Sequence, residues 1–168
     1  MSGIPSHLTQ LRLAQPTSID VTAAGLFLDS DASSWLGSPV PAANGHSRRF
    51  LTDLSMPIRD RAPNVTFKKA AFVDLGPARG EEGRVEVEIG WRSSSLAPLF
   101  PVFAGKLILT PTELALEGYY APPGGDLGAV LDKAFLNIAA RGTARWLLGR
   151  VAEALESDGL IGREARSR

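Results

Sequence analysis

The chain contains no cysteine, which excludes disulfides, thiolate nucleophiles and sulfur-ligated zinc and fits an intracellular protein. It has two histidines, His7 near the N-terminal edge and His46 in a turn-rich connector. Neither has a spacing that suits a metal site or a nucleophile–base pair, so neither metal nor cofactor is expected. Eighteen basic residues balance eighteen acidic ones, and with no net field to draw phosphate backbones nucleic acid is not an expected partner. No window approaches the roughly 20 apolar residues of a membrane span. Residues 1–10 have no basic n-region or apolar run of a signal peptide, so a cytoplasmic protein is expected. The glycines before the last helical segment, Gly124, Gly125 and Gly128, complete no dinucleotide or P-loop fingerprint and read as turn residues.

What is present is ordinary globular usage, with 44% hydrophobic and 21% charged residues over a length of 168. That length suits one domain with its own core. Residues 1–157 read as that domain. The segment 158–168 carries two glycines and several charges but few core formers, and reads as a mobile tail.

Strand patterning dominates the middle of the chain. Leu8–Gln15 predicts a first strand, ended by Pro16. From Thr22 to Trp35 the apolar positions suit one or two short helices. Gly37–Ser47 reads as a connector, Arg48–Ser55 and Val65–Leu75 as strands, and GPARGEEG at Gly76–Gly83 as a hairpin loop. Arg84–Trp91 has the cleanest alternation, with Val85, Val87, Ile89 and Trp91 on one face and Arg84, Glu86 and Glu88 on the other. Phe103–Thr110 and Leu114–Tyr120 follow, joined through Pro111 and Thr112. On the second of these Tyr120 shares a face with Leu114 and Leu116, which turns Tyr119 the other way.

The breaker string Gly118–Gly128 introduces a long amphipathic helix, expected from about Leu127 to Glu156. At roughly 100° per residue its apolar arc includes Phe135, Ile138, Gly142, Leu148, Ala152 and Leu155. Asp132, Lys133 and Arg150 fall opposite. Leu136 and Leu147 fall there too, available to the N-terminal helices or to a second subunit in a homodimer. Asn137, Arg141 and Arg145, four apart, stack along one line. Two readings are open for it: an anchor for an acidic group inside an apolar cavity, or arginines at the arc's edge whose heads reach water.

The order of elements, together with several local strings, resembles the helix-grip superfamily of START-like lipid carriers and polyketide cyclases or dehydrases. Those strings are Leu28, Asp29 and Trp35; Trp91 with Leu99–Phe100–Pro101; and Gly118, Tyr120, Pro122, Pro123, Gly124, Leu127, Gly128 and Asp132. The resemblance implies an α+β fold in which a curved antiparallel sheet wraps a long C-terminal helix, with short N-terminal helices. It also implies a cavity between the two, lined by Val87, Ile89, Trp91, Phe103, Leu116, Tyr120, Phe135 and Ile138, beside Asn137, Arg141 and Arg145. The expected function is binding or carriage of a small hydrophobic or amphiphilic molecule. The alternatives are a cyclase- or dehydrase-type enzyme using Tyr120 and Arg145, and a structural or partner-binding protein whose cavity is collapsed.

Overall fold

A computed structural model describes residues 8–42, 45, 47–57, 66–94, 102–121 and 133–162, with backbone alone at 55–57, 66–67 and 133–136. In chain order these form β1 (Thr9–Pro16), β2 (Ser18–Ile19), α1 (Val21–Asp29), β3 (Ser38–Val40), β4 (Arg48–Pro57) and β5 (Thr66–Glu81). There follow β6 (Arg84–Ser93), β7 (Val102–Thr110), β8 (Glu113–Ala121), α2 (Lys133–Ser157) and β9 (Ile161–Gly162). The fold is α+β. Seven strands pair antiparallel in the order β1-β8-β7-β6-β5-β4-β3, a meander from β3 to β8 with β1 added at the end, while β2 and β9 form a small second sheet.

One hydrophobic cluster joins both helices to the inner face of the large sheet. Buried Val87, Ile89 and Trp91 alternate with outward-facing residues along β6, as the period-two pattern requires. On the outer face charges pair across the strands: Arg12 with Glu117 at 2.6 Å, Lys106 with Glu86 at 2.6 Å, and Arg49 with Asp74 at 2.7 Å. Helix α1 packs on β5, β6 and β7, and α2 mainly on β4, β8, β1 and β9.

Local chemistry sets the ends of α1. Asp20 accepts from the Ala23 amide at 3.1 Å as N-cap. At the other end the Arg48 guanidinium donates to the carbonyls of Leu28, Asp29 and Ser30, which have no partner inside the helix. Asp29 in turn accepts from the Ala78 amide at 2.6 Å, beside a register shift in β5.

That shift corrects the hairpin reading of Gly76–Gly83. β5 continues through this string to Glu81, and only Glu82 and Gly83 form the turn, with Gly83 at φ 86°. A bulge between Leu75 and Ala78 lets Gly76 and Pro77 sit in a strand without breaking it. The connector 37–47 also holds β3, where Pro39 is tolerated because the strand lies at the sheet edge. Of the two helices allowed between Thr22 and Trp35, α1 is one; the remainder is a turn closed by Leu36 N–H donating to Ala32 O at 2.8 Å.

The last helix ends on a Schellman motif. Leu160 N–H donates to Leu155 O at 2.8 Å and Gly159 N–H to Glu156 O at 3.0 Å, with Gly159 at φ 74°. Asp158–Gly162 is therefore built into the fold rather than part of a mobile tail, since Ile161 pairs with Ile19 and Leu160 packs on the core. Residues 163–168 and the expected helix start at 127–132 lie outside the described residues. No helix among the described residues is long and apolar enough to cross a membrane.

Candidate functional site

The inner face of the sheet is organised in cross-strand rows. One row runs Val73, Trp91, Phe103, Tyr120; the next Leu75, Ile89, Gly105, Gly118, Leu11; the third Ala78, Val87, Leu107, Leu116, Leu13. The strand residues expected at the site, Val87, Ile89, Trp91, Phe103, Leu116 and Tyr120, are thus brought onto one face, all buried. Tyr120 faces inward and Tyr119 is half-buried on the other side, matching the register read from the alternation.

The middle row contains a feature the strand reading missed. Gly105 and Gly118 stand opposite each other, and a methyl on either would meet the tip of the Phe103 ring, at 2.7 and 2.6 Å. Phe103 therefore lies over the gap left by two absent side chains. Trp91 stacks on it, with centroids 4.0 Å apart and planes at 11°. The Trp91 indole Nε1 is buried and has no hydrogen-bond partner among the described residues. The sequence signal is there: both glycines occupy inward positions of the alternating strands Phe103–Thr110 and Leu114–Tyr120, although Gly118 also opens the breaker string.

The described helix residues do not join this face. Asn137, Arg141 and Arg145 are exposed, and Ile138 is 58% exposed. Arg141 Nε donates to Asn137 Oδ1 at 3.1 Å, a bond within the helix. The arginine line thus lies in water, with Arg145 exposed and Tyr120 buried. Phe135 and Leu136 fall among residues whose side chains are not described.

The buried stripe of α2 is instead Ala140, Thr143, Ala144, Leu147, Leu148, Val151, Ala154 and Leu155, at spacings of three and four. Leu147, expected on the back face, is 1% exposed and belongs to the core. The apolar arc includes several residues before Ala140, whereas among the described residues the buried stripe runs from Ala140 onward. The structure also brings Arg150 from the water-facing side to the flank of the buried stripe.

Arg150 forms a second constellation. Its Nη2 donates to Trp35 O at 2.6 Å, across 115 residues of sequence. Its guanidinium carbon stands 5.9 Å from the Trp146 ring centroid, and Trp35 stacks on Phe27 with centroids 6.5 Å apart. Two open clefts share Ser34, Trp35 and Arg150. One, of about 360 Å³, is bounded by the turn at Ser33–Gly37, by Thr52 and Asp53 of β4, and by Trp146 and Arg150. The other, of about 390 Å³, is bounded by Phe27, Trp35, Arg150 and Ala154 and by the carboxylates Glu153 and Asp158.

Two carboxylates are held below their usual range: Glu86 by hydrogen bonds from Lys106 and Arg84, and Asp31 by the Ser33 hydroxyl and amide. The first belongs to the outer face and the second to the turn after α1. Among the described residues no cluster of three or more acidic or histidine ligands forms. His7 and His46 lie outside the described residues.

No family model and no curated protein matches this chain. Among solved structures, one described as a conserved protein from Geobacillus kaustophilus is similar, at 13% identity and a TM-score of 0.46 over 89% of this chain and 95% of that one. A likeness so remote carries no functional argument.

Proposed function

We propose that the chain is a helix-grip domain that binds or carries a small hydrophobic or amphiphilic molecule between the inner sheet face and α2. The observation that carries this reading is Trp91. A buried indole N–H without an acceptor is costly in an interior where nearly all polar groups are paired. Set in an apolar wall with Phe103 and Tyr120, it is the kind of single donor by which a mostly apolar site orients an amphiphile. The contacts of α2 with both β4 and β8, strands separated by β5, β6 and β7 in the sheet, support a gripping arrangement.

Native mass spectrometry of protein purified from its own host, followed by identification of any released molecule, tests for a bound ligand. Trp91→Phe keeps a ring and removes the donor. Affinity for an acceptor-bearing amphiphile, such as a fatty acid, should fall by about two- to tenfold, the worth of one hydrogen bond. Binding of an apolar dye should hold. Equal loss of both probes would show damaged packing.

A second reading is favoured by the Trp91–Phe103 stack itself: a ring filling the glycine gap is what a collapsed interior would contain. Protein that arrives empty and displaces no dye at this face would establish that reading and end the carrier one.

A further inference from the structure

The outer face of the large sheet changes character along its strands. Near the β5–β6 and β7–β8 turns it carries the ion pairs of Arg84, Glu86, Lys106, Arg12, Glu113 and Glu117. Toward the other end it is more apolar. Leu51 and Val102 there are two of the four large hydrophobic side chains exposed among the described residues, and Phe72 lies half-buried beside the Arg49 and Arg92 guanidiniums, 5.5 and 5.7 Å from its centroid. Between the two zones a row crosses the strands, Arg49, Asp74, Gly90, Ala104, Tyr119. Its middle members have almost no side chain, so they leave a trough walled by Asp74 and Tyr119. Beside the trough Glu88 stands opposite Lys106 in the register; Lys106 bonds Glu86 at 2.6 Å, and Glu88 has no ion pair among the described residues.

We propose that a second copy of the chain docks on this face. With a two-fold axis between the two sheets, parallel to the strands and midway between β6 and β7, every row faces itself reversed. Gly90 then lies over the partner's Ala104 and Glu88 over the partner's Lys106, and symmetry makes each contact twice. Asp74 meets the partner's Tyr119, a carboxylate against a hydroxyl. Twisted sheets packed face to face come closest near the middle of the contact, which is where the trough removes bulk. The same closure covers Phe72 and Val102. Opposite charges at one height on neighbouring strands make the face complementary to itself, rather than to a surface of one sign.

Light scattering of the full chain at about 100 µM should give twice the chain mass, with dissociation on dilution through the micromolar range expected of a modest interface. Ala104→Arg sets a long charged side chain in the trough at an exposed position and should weaken association by about tenfold or more. Glu88→Lys and Lys106→Glu each bring like charges face to face and should do the same. The exposed ion pair lost with Lys106 is worth little to folding. Mixed in equal amounts, the two charge variants should associate with each other, because each offers the sign that the other lacks. Rescue on mixing cannot arise within one chain, so it separates docking from damage to the sheet. Wild type that stays monomeric at this concentration overturns the proposal. A dimer that survives Ala104→Arg, or charge variants that fail to associate on mixing, overturns it equally.

Discussion

At the scale of single residues, the inner face depends as much on two missing side chains as on those present. Gly105 and Gly118 let the Phe103 ring lie against the sheet, and their backbones come close enough that a methyl at Gly118 would fall 2.4 Å from the Ala104 carbonyl oxygen. Backbone cannot yield as a side chain can. Gly118→Ala should therefore destabilise the protein by about 1–3 kcal/mol, the usual cost of overpacking. Urea denaturation would read this as a lower midpoint with unchanged slope. Gly83→Ala, at a turn with nothing near its missing methyl, would pay only for its backbone angle. A Gly118→Ala protein as stable as wild type would mean that Phe103 is not seated over the pair. The residue types at this face were legible from alternation alone. The orphaned Trp91 donor was not, because the absence of an acceptor is a property of the surroundings.

At the scale of elements, the strands followed their period-two pattern closely, while the ends of elements departed from composition. Polar, glycine-rich Gly76–Glu81 remains strand because its neighbours continue the ladder and a bulge absorbs the irregularity. Asp158–Gly162 is docked because the end of α2 has carbonyls to satisfy and β2 has an open side. Gly159 is the hinge of that arrangement, at φ 74°. Gly159→Ala places a methyl-bearing residue in the left-handed region and should cost about 1 kcal/mol. Thermal melts should show the loss. Faster amide exchange at Leu160 and at Asp20, whose N–H donates to Leu160 O at 3.1 Å, should accompany it. Unchanged exchange at Asp20 would show that the cap does not hold β9 against β2.

At the scale of the whole molecule, stability should be graded across the sheet. β6 lies at its centre with paired neighbours on both sides, whereas three-residue β3 is an edge and two-residue β9 pairs only with β2. Native-state hydrogen exchange should be slowest in Val87–Trp91 and Phe103–Leu109, and fastest among the strands at Ser38–Val40 and Ile161–Gly162. Uniform protection would argue against such grading. The sequence by itself determined the α+β class, the alternation of β6 to β8, the inward register of Tyr120 and the existence of a long last helix. These follow from local periodicity, which each segment carries within itself. Only the tertiary structure decided that Leu147 is core, that the Asn137–Arg141–Arg145 line is in water, and that Arg150 meets Trp35. Those outcomes depend on where along its length the helix touches the sheet and on contacts 115 residues apart, and no local pattern encodes either.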